Sequence, residues 1–302
     1  MKGHPEKNFA LDDQLFSTVF EAILENYVTG RTPVLSPPFK AMFVVGQPAA
    51  GKTLLRNHLL SSLGIVNTTI VCNTDDIRSY HPSYDALLND PKTLIRAPYM
   101  VNQDSGKLTE SLFLYAINKY HILIDATFGS NDLQHYFRQF EHLIESKYEI
   151  TFNLLAVHPK ISYLSNYKRY VAGVVENRNE RLVSKDVHDL SVKNLPKNIL
   201  ALNDFLNAKN TSVRSTIFYR DATSKTLQSN PISSVIDLSS VIKSEHSRPL
   251  TQSETKDYVA QVCELYKEMK ELGLPGSILK LFEGDFREEI NKGNKPLLKL
   301  KP

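Results

Sequence analysis

FKAMFVVGQPAAGKTLLRNHLLSSL, residues 39–63, decides the fold. Its opening FKAMFVV (39–45) is a short apolar run, the pattern of a strand buried on both faces. Its closing GKTLLRNHLLSSL (51–63) reads as a helix. Between them Gly46, Gly51, Lys52 and Thr53 stand at the GxxxxGK[ST] spacing. A loop of this kind turns its backbone N–H groups, and those of the helix that follows, toward phosphate oxygens. Lys52 is placed to reach the β- and γ-phosphates, and the Thr53 hydroxyl to ligate Mg²⁺. The strand before and the helix after supply the context the motif needs, so Gly46, Gln47, Pro48, Ala49, Ala50, Gly51, Lys52 and Thr53 are expected to bind a nucleoside triphosphate.

Outward from that unit, apolar runs recur at TTIVCN (68–73), HILIDAT (121–127), YEITFNLLAV (148–157) and SVRSTIFYR (212–220). Helical patterns occupy 9–28, 105–119, 131–146, 160–178 and 186–208. Strands alternating with helices predict an α/β fold, a P-loop kinase-like, mostly parallel sheet with helices on both faces. Ligands of such sheets bind beyond the C-terminal strand ends. Residues 46–53, Asp75, Asp125 and His158 are therefore expected to be neighbours. Past residue 248 come the helical SETKDYVAQVCELYKEMKELG, a second short helix and the basic tail NKGNKPLLKLKP. The chain thus reads as a kinase-like domain, 1–248, and a helical C-terminal extension, 249–302.

Lysine and arginine number 36 against 33 acidic residues, a net charge of +3, too even to argue for nucleic acid. Cys72 and Cys263 lie far apart, which suits neither a disulfide framework nor a zinc site and fits a reducing cytoplasm. MKGHPEKNFALDDQ lacks the apolar core of a signal peptide, and no apolar run approaches the ~20 residues that span a bilayer. The expectation is a soluble cytoplasmic protein that binds neither nucleic acid nor membrane.

A triphosphate loop serves switches, motors and kinases alike. The NKxD base reader and DxxG switch of guanine-specific proteins are both missing from the sequence. A small-molecule kinase needs a carboxylate to take the acceptor's hydroxyl proton and cations to neutralise the transferring group. NTDDIRSYHPSYDALL (73–88) offers Asp75 or Asp76 just past a strand, where the competing reading is a helix N-cap. YKRYVAGVVENRNERLVSKDVHD (167–189) offers Lys168, Arg169, Arg178 and Arg181, whose competing reading is a solvated basic face. Asp125 ends a buried strand, so it holds metal-bound water, binds a substrate hydroxyl or caps the next helix. His81, His158 and His188 stand beside loop signals and read as structural.

Together these stretches resemble the zeta toxin family. The likeness rests on GQPAAGKT (46–53), TDDIRSYHPSYDALL (74–88), IDAT (124–127), AVHPKISYL (156–164), KRY (168–170) and RLVSKDVHDLSVKNLPKNI (181–199), over about residues 10–225. Zeta toxins are ATP-dependent kinases that phosphorylate a sugar hydroxyl of UDP-N-acetylglucosamine, a peptidoglycan precursor, and a small helical antitoxin restrains them. The resemblance implies the same transferase activity here, with ATP and Mg²⁺ as cofactors. It implies Asp75, rather than Asp76, as general base, by its spacing from His81-Pro82. It also implies Arg169 and Arg181 as the clamp on the γ-phosphate, and Glu110, Asp125 and Thr127 as substrate-binding residues. The sequence departs from the family at Ala49-Ala50, where a third glycine is common, at Asp125, where some members have glutamate, and at Gly129, where some have a substrate-side arginine. The last two leave open a kinase for another UDP-sugar, nucleotide or metabolite. An ATP-binding interaction module is the alternative of another class.

Overall fold

The computed structural model of the chain describes residues 9–90, 92–178, 180–220, 227–232 and 234–293. The apolar runs become β1 (Lys40–Val45), β2 (Thr69–Cys72), β3 (His121–Ala126), β4 (Glu149–Ala156) and β5 (Arg214–Arg220). They pair in parallel in the order β2-β3-β1-β4-β5. A further strand, β6 (Leu227–Ile232), joins β5 antiparallel at the edge. Sequence reading passed over it because LQSNPI is polar and holds Pro231, a residue that sheets accept at their edges.

Helix α1 (Asp13–Val28) starts later than its apolar pattern, because the Asp12 carboxylate accepts from the Leu15 N–H at 2.8 Å and caps it. Along the chain follow α2 (Lys52–Ser62), the short α3 (Thr74–Ile77), α4 (Tyr84–Asn89) and α5 (Ala97–Met100), then α6 (Asn102–Ala116), α7 (Gln134–Glu145), α8 (Pro159–Val175) and α9 (Lys185–Ala208). After β6 come α10 (Val235–Ser247), α11 (Gln252–Glu271), α12 (Gly276–Asp285) and α13 (Arg287–Gly293). Helix α10 was not anticipated.

β1 is central, and its alternate residues serve different layers. Ala41, Phe43 and Val45 join the larger core with α1, α6, α7, α9 and α10, where Phe43 stacks on Phe140 of α7 at 4.1 Å. Met42 and Val44 turn the other way, onto Leu55 and Leu60 of α2. Burial on both faces is why the run shows no polar alternation, and full burial of a side chain such as Phe43 stabilises by about 1.5–3 kcal/mol. A separate apolar cluster joins α11–α13 to α4, α5 and α8, with Tyr167, Val262 and Phe282 at its centre. The chain crosses between the two clusters at 248–251, where the Arg248 guanidinium spans Glu245 and Glu254 and Thr251 forms a capping box with Glu254. Among the described residues, no helix is long and apolar enough to cross a membrane.

Candidate active site

The C-terminal strand ends open on a cavity of about 770 Å³. Ala49, Gly51, Lys52 and Thr53 line it. Gly51 takes φ +107°, a left-handed setting that glycine reaches without a Cβ clash, and leaves the first N–H groups of α2 without a side-chain cap. Ala49 also takes a positive φ, +58°. Gly46, Pro48 and Ala50 are buried and do not line the cavity; a Cβ at Gly46 would sit 3.1 Å from the Leu155 carbonyl. Gln47 is fully buried and points away from the cavity wall. Its Nε2 donates to the Val157 carbonyl at 2.6 Å and lies 3.3 Å from Ser162 Oγ, which in turn meets His188 Nε2 at 2.8 Å. The loop is thereby tied from behind to α8 and α9.

Lys52 Nζ donates to the Gly46 carbonyl at 3.1 Å and approaches Asp125 Oδ1 at 3.9 Å. Burial pushes the Lys52 pKa down, while Asp125 and Asp75 pull it back up. Asp125 is buried on β3, where burial raises its pKa against the pull of Lys52. It accepts from Asn73 Nδ2 at 3.3 Å and does not cap α7, whose N-cap is Leu133. Asn73 is also the N-cap of α3, accepting from the Asp75 N–H at 2.8 Å. The cap therefore belongs to Asn73, and Asp75 is left with its carboxylate free of that duty.

Asp75 is held by two guanidiniums, Arg181 on Oδ2 at 2.5 Å and Arg78 on Oδ1. Burial opposes its ionisation, but Arg181, Arg78 and Lys52 outweigh that and hold the carboxyl well below the usual carboxylate range. Arg169, from α8, places Nη2 3.4 Å from the Arg181 carbonyl and Nε 3.4 Å from Glu180. Gly173 makes this possible. A Cβ there would fall 2.4 Å from Glu180 Cγ, so the turn carrying Glu180 and Arg181 folds back directly onto α8. Asp76 also lines the cavity, where its carboxylate is paired with Arg56 at 3.0 Å.

The remaining expected residues are not gathered here. Glu110 does not line the cavity; it is exposed on α6 and faces Arg138 at 3.6 Å. Thr127, just past β3, does not line it either. His158 belongs elsewhere: its Nδ1 accepts from the Lys160 N–H to cap α8, and its Nε2 meets the Arg248 carbonyl. Burial pushes its pKa down. Arg178 is an exposed partner of Glu176 and Glu180. His81 ties the chain ahead of α1, meeting the Phe9 carbonyl at 3.0 Å. Position 129 is closed: a Cβ on Gly129 would fall 2.6 Å from Ser191 Cα, and Asn194 and Asn198 hold the surrounding loop through the Gly129, Phe128 and Ser130 carbonyls. The VKNLPKN stretch is thus the clamp on the loop after β3.

Sequence reading missed Arg78, Glu180 and Arg220. Arg78 stands three residues past Asp75, one helical turn away, a spacing that signalled the pair. Arg220 ends β5 and donates from Nη1 to the Ala50 carbonyl at 3.2 Å, bracing the phosphate loop. The rule of C-terminal strand ends points to it. Glu180 carries no signal in sequence, since only the Gly173 contact brings it in.

A left-handed glycine before a lysine-bearing helix, on the central strand of a mostly parallel sheet, defines a P-loop protein with a kinase-like α/β fold. A protein-family model described as Zeta toxin matches residues 27–231. Toxin zeta of Enterococcus hirae is 31% identical over 195 residues, covering 62% of this chain and 64% of that relative. Toxin PezT of Streptococcus pneumoniae is 29% identical over 168 residues, covering 54% and 63%. The chain thus spans somewhat under two thirds of these relatives' length. A chain from the PezAT chromosomal toxin–antitoxin system of S. pneumoniae superposes with a TM-score of 0.64 at 22% identity, covering 88% of this chain and 98% of that one. One from an AvrRxo1-ORF1:-ORF2 complex gives 0.52 at 12% identity, covering 96% and 85%. This chain belongs to the zeta toxin family.

Proposed function

We propose that the protein is an ATP-dependent kinase that phosphorylates a sugar hydroxyl of UDP-N-acetylglucosamine, and that it is the toxin of a pair restrained by a small helical antitoxin. One observation carries the kinase reading. Lys52, Asp75, Arg169 and Arg181, far apart in sequence, converge on one cavity above the phosphate loop. The residues suit ATP–Mg²⁺. Lys52 has mainly loop carbonyls as partners, and Arg169 Nε is buried with no hydrogen bond, only an ion pair with Glu180 at 3.4 Å. The first N–H groups of α2 are also uncapped. ATP–Mg²⁺ would supply the phosphoryl group, held by the loop, Lys52 and the Thr53 hydroxyl. Arg169 and Arg181, both half-buried, neutralise charge on that group. Asp75 orients the acceptor hydroxyl and takes its proton, because a loose transfer is governed mainly by positioning.

The acceptor assignment draws on family membership and on the names of the relatives, Toxin zeta and PezT. The antitoxin assignment draws on the likeness to the PezAT system. A second reading, the same donor with another UDP-sugar or metabolite as acceptor, is favoured by one feature: a side chain at position 129 would collide with the Ser191 backbone. Mass spectrometry of the protein with ATP, Mg²⁺ and a panel of UDP-sugars and nucleotides separates the two. One added phosphate on UDP-N-acetylglucosamine is expected. Phosphate on a different acceptor alone establishes the second reading, and ATP binding without any transfer establishes an interaction module.

A further inference from the structure

Asp75 is gripped from two sides, and only one grip faces the cavity. Arg181 lines the cavity and donates to Oδ2. Arg78 lies behind. It donates to Oδ1 through Nη1 and to Asn102 Oδ1 through Nη2 at 2.8 Å, is 9% exposed, and is not among the cavity-lining residues. Its Nε is buried without a hydrogen-bond partner, so the two Nη contacts hold the guanidinium. Asn102 opens α6, so this second anchor comes from a different helix.

The two arginines therefore differ in what can take them away. A γ-phosphate in the cavity offers the Arg181 fork the same kind of oxygen acceptors as Asp75 does, with more charge. It has no such access to Arg78. We propose that Arg78 is the positioning residue of Asp75, keeping the carboxylate aimed into the cavity once Arg181 turns to the transferring phosphoryl group. In the free protein Arg181 covers the base, and nucleotide binding uncovers it while Arg78 keeps it in place. This rests on the kinase reading above.

The test compares Arg78→Ala, Arg78→Lys and Asn102→Ala in the full chain with ATP, Mg²⁺ and UDP-N-acetylglucosamine. Arg78→Ala should lower kcat about 10²-fold, the loss a ~1 Å misplacement produces, with KM for ATP little changed. Arg78→Lys and added guanidinium should each restore part of the loss, and Asn102→Ala should give a smaller fall in the same parameter. Unchanged kcat in Arg78→Ala overturns the proposal. So does a loss confined to KM for ATP. If Arg78→Ala does not fold, Asn102→Ala decides by the same split. Wild-type protein that transfers no phosphate to any acceptor of the panel defeats the kinase reading instead, and transfer to another acceptor moves the same comparison to that acceptor. The crystal structure of Arg181→Ala then tests Arg78 alone: Asp75 held in place supports it, and Asp75 swung away overturns it.

Discussion

The side of the cavity expected to hold phosphate and the side expected to take the acceptor are built in different ways. On the first, Lys52, Thr53, Asp75, Arg169 and Arg181 all reach the cavity. Lys52, Thr53 and Asp75 sit just past a buried strand, while the arginines come from α8 and the turn after it. On the second, Asp125 lines the cavity, but Glu110 faces Arg138, Thr127 stands off the wall, and position 129 is sealed by Ser191. Strand ends fix the phosphate site through a rigid sheet. The other side depends on how the loop after β3 packs on α9, and a few contacts there can reshape it. One fold can thus keep its donor and change its acceptor.

Arg181→Ala breaks the phosphate side most severely. It removes a cation from the transferring group, and kcat should fall about 10³-fold or more, as loss of an arginine finger does. Acceptor affinity should hold. An effect on acceptor affinity alone places Arg181 on the other side of the cavity and erases the contrast. Gly129→Arg tests the acceptor side with a smaller effect. The new side chain must displace Ser191, so thermal unfolding should show a loss of about 1–3 kcal/mol, the usual cost of overpacking. ATP affinity should be unchanged. An arginine accepted there without loss of stability, together with tighter binding of a UDP-sugar, would show that the clamp of Asn194 and Asn198 yields.

Five strands and the phosphate loop were legible because each obeys a local rule, an unbroken apolar run or a glycine spacing, whereas a strand end pointed to Asp75 or Asp76 and only the family resemblance chose between them. The α10 helix and β6 were not, the strand because an edge position tolerates polar residues and proline. Arg169 and Arg181 came from resemblance, since spacing alone could not tell them from Lys168 and Arg178. Their separation depends on Gly173, which lets the turn double back and leaves Arg178 outside. His158 was misplaced among the site's neighbours because a strand-end rule does not foresee a histidine capping its own helix.

The central claim is that Asp75 acts as the base of a phosphoryl transfer, and Asp75→Asn tests it most directly. Asparagine keeps the size and hydrogen-bonding shape but cannot take the proton. ATP binding by calorimetry should persist, while transfer to the acceptor should fall about 10²–10⁴-fold. Turnover at the wild-type rate would contradict the account and leave Asp75 as no more than a tether for Arg78 and Arg181.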